Sequence, residues 1–460
     1  IDSKHIGGIF MDFVKEDRES QIEWIKKEVK EKQVRFILLQ ITDIFGTAKR
    51  VTLPSNQLEK ILKNEVMFDG SSIDGFTRIE ESDMYLYPDL STFTILPWKT
   101  HGGETMAKVI CDVYMPNGEP FHGCPRNILK RAIKEAEKMG YTFYVGPEPE
   151  FYIFNCDSKG EPILESNDKA GYFDLAPLDK GEEVREAIVL TLEGIGFEVE
   201  ASHHECGPGQ HEIDFKYANA LTTADNIMTF RYVVRKTADD LGLFGSFMPK
   251  PVTGIAGSGM HLNMSLFKNG ENIFYDPTTE NKLSKEAMYF LGGLLEHAKG
   301  FAAITNPLIN SYKRLVAGFE APIYIAWSEQ NRSPLVRIPA KRGLSTRLEL
   351  RNPDPACNPY LALAVALMAG LDGIKNEKMP PNPVNRNIYS MNENERKNGN
   401  IKCLPKDLYE AIKELSRDEV VKEALGQHIT HKYVAAKIKE WNDYRAIVHP
   451  YEIREYLRLY

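Results

Sequence analysis

The chain is poor in cysteine, and no two cysteines lie close together. Six are scattered over 460 residues, at positions 111, 124, 156, 206, 357 and 403, without a CxxC pair. That excludes a disulfide scaffold and fits a reducing compartment. Long apolar runs are also missing. The longest spans 360–371, about a dozen residues where a membrane-spanning helix needs roughly twenty. The opening stretch IDSKHIGGIFMDF has no basic region leading into an apolar one, so no secretory leader is expected and the cytoplasm is the expected compartment. Basic residues show no excess: 57 stand against 65 acidic ones, a net charge of −8. Nucleic acid is therefore a poor fit as main partner, because a phosphate backbone calls for a basic face. Neither GxxxxGK[ST] nor GxGxxG after a strand occurs, and there is no serine elbow, which argues against P-loop, Rossmann and serine-hydrolase sites. The two His-Glu pairs fail HExxH because Pro208 and Phe215 take the final positions.

With 42% hydrophobic and 27% charged residues, the chain has an ordinary globular composition, and its length predicts two domains. Ile22, Ile25 and Val29 fall at helical spacing in 20–33, and 35–42 and 48–53 read as strands joined by a turn at Gly46. Residues 54–105 are turn-rich, so the first domain is expected to be small and β-rich with one helix, ending near 105–120. Pro125 and Gly140 bracket a helix. Further helices are expected over 181–195, 222–241, 284–303 and 358–374, alternating with segments of period two, which predicts a large domain with a mostly antiparallel sheet. Residues 376–405 read as a long exposed loop, and 406–460 as charged helices whose apolar end docks on something, often another subunit.

Chemistry concentrates on strands. In GPEPEFY, Glu148 and Glu150 share one face about 7 Å apart, while Pro147 and Pro149 keep the backbone extended. Such a pair repels itself unless a cation lies between or one group is protonated; taken alone, it is as often a solvated surface pair. In RLELR, Arg347, Glu349 and Arg351 oppose Leu348 and Leu350, either as a surface ladder or as a carboxylate held ionised beside anion-binding guanidiniums. MHLNMSL places His261, Asn263 and Ser265 on one face, after the flexible Gly257-Ser258-Gly259. His203-His204-Glu205 and Gln210-His211-Glu212 flank a Gly-Pro-Gly turn. Oxygen donors in such number favour Mg²⁺ or Mn²⁺ over zinc. NSYKRLVAGFEAP and NRSPLVR add cations in loops, either plain surface charge or anion sites. Five glutamates and one histidine beside arginines can hold two divalent ions and neutralise a transferring phosphoryl group.

Several motifs occur together: MFDGSS at 67–72, EESDMYLYPD at 80–89, GPEPEFY, HHE…GQHE, GSGMH at 257–261, NSYKRL…GFEAP, NRSPLVRIP and RLELRNPDP. In number, order and spacing they resemble type I glutamine synthetase over the whole chain. The resemblance implies an α+β fold: a β-grasp-like domain over 15–110 and a catalytic domain over 118–460, with a curved antiparallel sheet flanked by helices. It implies ATP-dependent joining of ammonium to the γ-carboxylate of L-glutamate through γ-glutamyl phosphate, with two or three Mg²⁺ or Mn²⁺ per site. Glu150, Glu205 and Glu212 are expected to hold one ion, and Glu148, His261 and Glu349 the second. Arg332, Arg337 and Arg351 are expected to neutralise phosphate and substrate charge. Arg314 is expected to grip the glutamate carboxylate, and the Gly257 backbone to meet its amino group. Glu200, Asn263 and Ser265 fall along the nucleotide. Asp69, from a neighbouring subunit, binds ammonium and takes its proton, and Glu320 closes over the site. A homododecamer of two stacked hexameric rings is implied, with nitrogen-regulatory proteins as further partners.

The chain departs from the family pattern at Ala256, where asparagine is usual, and at Ala317, where proline is common. Tyr389 lacks the sequence that normally follows a nucleotidylated tyrosine, and Arg78 matches the subgroup inhibited directly by glutamine. Other readings stay in view. A ligase for a larger amine should have lost Asp69 and Glu320, and a non-catalytic relative should have lost metal ligands. A two-metal phosphohydrolase would not need the ammonium-site pair.

Overall fold

The computed structural model describes residues 17–73, 75–76, 83–318 and 321–460. Arg78 and Glu320 lie outside the described residues. The first sheet is built from β1 (Val34–Thr42), β2 (Ala48–Pro54), β3 (Val66–Asp69), β4 (Asp83–Pro88), β5 (Thr94–Lys99) and β6 (Thr105–Tyr114). Its order is β2-β1-β6-β4-β3, with β5 also on β6. The β1–β6 pair is parallel and the others antiparallel. The helix Arg18–Glu31 is capped by the Asp17 carboxylate and turns Ile25 into this sheet. Strand β6 runs through Tyr114, so the first sheet extends past position 110.

The second sheet contains β7 (Thr142–Cys156), β8 (Pro162–Ser166), β9 (Val199–His204), β10 (Gln210–Phe215), β11 (Ala218–Asn219), β12 (Leu243–Ser246), β13 (Met260–Lys268), β14 (Glu271–Asn272), β15 (Tyr324–Ser328), β16 (Pro334–Arg337), β17 (Leu348–Leu350) and β18 (Lys402–Cys403). Its order is β18-β15-β16-β17-β13-β7-β10-β9, and all these pairings are antiparallel except β15–β16. The expected long helices form as Glu182–Gly194, Ala220–Asp240, Lys285–Thr305 and Pro359–Lys375.

The last of these is apolar all round and buried along nearly its whole length, as a helix inside a core must be. It crosses Lys285–Thr305 at glycines. A Cβ on Gly293 would stand 2.1 Å from the Ala369 carbonyl oxygen, and one on Gly373 would stand 2.0 Å from that of Tyr289. Only hydrogen side chains permit this approach. Each large apolar side chain buried in this core contributes about 1.5–3 kcal/mol.

The two domains are fastened by polar groups. Asn358 donates to the Asp43 carbonyl at 2.9 Å. Buried Arg126 donates to Asp89 and Asp112 of the first domain at 2.7 and 2.8 Å and to Asp225 of the second at 2.8 and 3.0 Å.

One expectation is corrected. Residues 376–405 contain a short helix, Glu393–Asn398, and the strand β18. Ile388 and Met391 are buried against Tyr324 and Ala326. Isolated apolar residues among prolines and asparagines show no period, so the sequence hid this packing. The terminal helix Pro450–Tyr456 is exposed throughout.

Candidate active site

Sheet register assembles the site. Across neighbouring strands, His203 (β9) faces Glu212 (β10), Glu212 faces Glu150 (β7), and Glu148 faces His261 (β13). One step further, Asn263 faces Glu349 (β17), which faces Arg337 (β16). Because side chains alternate along a strand, these residues emerge on one face as a diagonal band.

The band floors a cavity of about 850 Å³ whose lining includes Glu148, Glu150, Glu205, Glu212, His261 and Glu349. All six expected ligands therefore meet in one place. Gly257, Arg314, Arg332, Arg337 and Arg351 line the same cavity. An adjoining cavity of about 380 Å³ is lined by Glu200, Asn263 and Ser265, and shares Glu148 and Asp214 with the first. Asp69 lines neither cavity of its own chain; its carboxylate accepts from the Ser71 amide and hydroxyl at 2.8 and 2.6 Å.

Glu148, His261 and Glu349 offer ligand atoms within 4.8 Å of one another, and so do His203, Glu205 and Glu212. His261 Nδ1 lies 3.2 Å from Glu148 and 3.8 Å from Glu349. Arg337 and Arg351 reach Glu349 at 2.6 and 3.2 Å. Glu150 faces the cavity, but its Oε2 accepts from Gln210 Nε2 at 2.8 Å and the Gly259 amide at 2.9 Å. The compact second trio has His203 where the resemblance places Glu150. His203 was read in the sequence only as part of the HHE stretch, with no role of its own, although its two-residue spacing from Glu205 carried the signal. Gln210 and Asp214 share the face of Glu212 by the same spacing; Gln210 was read only as part of its motif and Asp214 was overlooked.

Arg314 is buried and donates to the main-chain carbonyls of Asn352 and Arg351 at 2.7 and 3.1 Å. It packs so tightly on Gly257 and Gly259 that an added Cβ would approach its side chain to 2.9 and 2.6 Å. Ala256 lines the cavity and offers its carbonyl to the Tyr152 hydroxyl at 2.6 Å. The Tyr389 hydroxyl is engaged with the Ala321 carbonyl.

Charge is unevenly compensated. Burial pushes the Glu148 carboxyl up, but hydrogen bonding and the charge of His261, with Asn263 and Arg347, hold it at about 2. Burial and then the charge of Glu205 push Glu150 up to about 7. Burial and neighbouring carboxylates likewise raise Glu212, and bring Asp214 to about 8. Carboxylates that raise one another in a buried bay, all hard oxygen donors with imidazole beside them, fit divalent cations such as Mg²⁺ or Mn²⁺. Guanidiniums on the rim suit phosphate and carboxylate groups.

A first domain placed before a large antiparallel sheet, with a cation-seeking bay in that sheet, defines a metal-dependent enzyme acting on anionic substrates. The comparisons make this specific. Residues 33–116 match the glutamine synthetase beta-Grasp domain, and 122–456 match the glutamine synthetase catalytic domain. The chain is 57% identical to glutamine synthetase of Staphylococcus aureus, over 97% of this chain and 99% of that protein. It is 56% identical to that of Methanosarcina mazei, over 95% and 97%. A solved GmaS/ADP complex superposes with a TM-score of 0.86 at 32% identity, over 94% of this chain and 99% of that one. The chain belongs to the glutamine synthetase family.

Proposed function

We propose that this enzyme makes glutamine from L-glutamate and ammonium with ATP, through γ-glutamyl phosphate, and that the carboxylate band is where it does so. The supporting observation is the convergence of Glu148, Glu150, Glu205, Glu212, His261 and Glu349 in one cavity, with Arg337 and Arg351 touching Glu349.

In this reading Glu150, Glu205 and Glu212 hold one divalent cation and Glu148, His261 and Glu349 a second, with His203 beside the first. Bound there, the cations supply charge neutralisation for the phosphates of ATP. Glu200, Asn263 and Ser265 orient the nucleotide, whose presence in this fold agrees with the ADP in the GmaS complex. Arg314 and the Gly257 backbone fix glutamate so that a γ-carboxylate oxygen attacks the γ-phosphorus as the bond to the β-phosphate oxygen breaks. Arg332, Arg337 and Arg351 stabilise the charge spread over the transferring oxygens. Asp69 of a neighbouring copy takes a proton from ammonium. The ammonia attacks the acyl carbon, phosphate departs, and glutamine forms. Glu320 keeps water from the acyl phosphate.

An Asp69 set apart from its own chain's cavities and a terminal helix that leaves Tyr451, Ile453 and Tyr456 exposed suit a homododecamer with sites completed between subunits. No described helix is long and apolar enough to cross a membrane, which agrees with a cytoplasmic enzyme, and glutamine acting back through Arg78 belongs to the same reading.

The test is phosphate release from ATP with glutamate and Mg²⁺ or Mn²⁺, comparing ammonium with a panel of amines, each product identified by mass. Phosphate and glutamine in equal amounts with ammonium alone are expected. Consumption of a larger amine in preference to ammonium would overturn the roles given to Asp69 and Glu320.

A further inference from the structure

A third cavity, of about 520 Å³, lies away from the carboxylate band, between residues 45–48 of the first domain and the helix Ala220–Asp240 with strand β12 of the second. Its size falls in the range of roughly 300–1,000 Å³ usual for small-molecule sites. In a chain with net charge −8, no carboxylate lines this cavity, but two guanidiniums do, those of Arg231 and Arg235.

Neither guanidinium has an acidic partner among the described residues. Arg231 is buried; it donates to the Cys357 carbonyl at 2.6 Å and to the Met228 sulfur at 3.8 Å, and its Nε has no acceptor. Arg235 stands at the rim, its guanidinium 5.5 Å from the centre of the Phe247 ring. Burial lowers the pKa of Arg231; Cys357 and the charge of Asp354 work against that, and the charge of Arg235 adds to it. A buried cation that forms no ion pair and stands beside a second cation is costly, and an anion between the two relieves both effects. Apart from Thr47, Tyr232 and Ser246 the rest of the wall is apolar, and Phe244 and Met248 remain substantially exposed at its edge. A charged end and an apolar wall select an amphiphilic ligand.

We propose that this cavity binds a small organic anion whose carboxylate or phosphate pairs with Arg231 and Arg235 while its apolar body lies against Phe244 and Met248. The inference does not depend on the reading of the carboxylate band, because its test measures binding and no turnover.

The test is a fluorescence titration of the intact, assembled enzyme with anilinonaphthalene sulfonate, an aryl anion, in the presence of ADP and glutamate to fill the active bay. One saturable site per chain is expected. Arg235→Glu and Phe244→Asp, both at exposed positions, should weaken it by about tenfold or more, while Arg235→Lys retains it. Phenylacetate and phenyl phosphate as competitors distinguish a carboxylate from a phosphate ligand, and neutral phenylethanol should not compete. The proposal is overturned by any one of three results: no saturable binding with ADP and glutamate present, equal binding by Arg235→Glu, or equal competition by the neutral alcohol. Binding only to dissociated chains would also overturn it, since another copy would then cover the cavity.

Discussion

Two regions of this molecule bury several charges, and they do so in opposite ways. Around Arg126, three aspartates converge on one guanidinium, and the Tyr360 hydroxyl donates to Asp225 at 2.7 Å. Burial pushes Asp89 up, but the charge of Arg126 wins and holds its carboxyl below the ordinary value. In the carboxylate band the outcome is reversed: burial and the charge of neighbouring carboxylates drive Glu150 and Asp214 up to about 7 and about 8. A cluster that closes on itself is a fastener. One left short of positive charge is built to receive it.

The largest expected effect breaks the first region. Arg126→Met leaves three aspartates facing one another, and should cost about 3–5 kcal/mol, read as a lower midpoint in urea denaturation of the assembled enzyme. In the second region, Glu349→Gln should cut the rate of glutamine formation on the order of 10²–10³-fold. Metal-free thermal stability should hold or rise in a companion variant of this region, Glu212→Gln, where Arg126→Met loses it, because one of the carboxylates that repel one another is gone. Equal thermal destabilisation by Arg126→Met and Glu212→Gln would erase the contrast.

Next in size comes a change of yield. Glu320→Ala should still bind ATP, yet release phosphate in excess of glutamine; unchanged coupling would remove Glu320 from the water-excluding role.

The smallest effect concerns pH. Glu150, Glu212 and Asp214 have folded pKa values raised above their unfolded ones, so above the unfolded value the folded chain binds more protons. Stability of the metal-free enzyme should therefore decline as pH rises from about 4.5 through about 8. Added Mg²⁺ should flatten that decline. The lowered Asp89 works the other way: its contribution is present above its unfolded value of 3.8 and fades as pH falls through the lower folded value. Thermal melts from below pH 3.8 up to about 8, with and without Mg²⁺, check both signs.

Much of the band was legible in the sequence. The two-residue spacings Glu148/Glu150, His261/Asn263/Ser265 and Arg347/Glu349/Arg351 each fixed a face, since strand geometry dictates it. Which strands lie side by side was not legible, because the pairings of β7 with β10 and β13 join residues far apart in sequence. Only that pairing shows Glu150 tied to Gln210 and Gly259, or His203 beside Glu205 and Glu212. The Arg126 cluster was invisible for the same reason: Asp89, Asp112 and Asp225 lie on three separate elements, and no spacing links them.

The central claim is that the band binds divalent cations through two groups of ligands. Mn²⁺ titration followed by electron paramagnetic resonance, on the wild-type enzyme and on Glu349→Gln, tests it most directly. The account predicts two tightly bound ions per chain in the wild type and loss of one in the variant. The same number of ions, held equally tightly by both proteins, would contradict it.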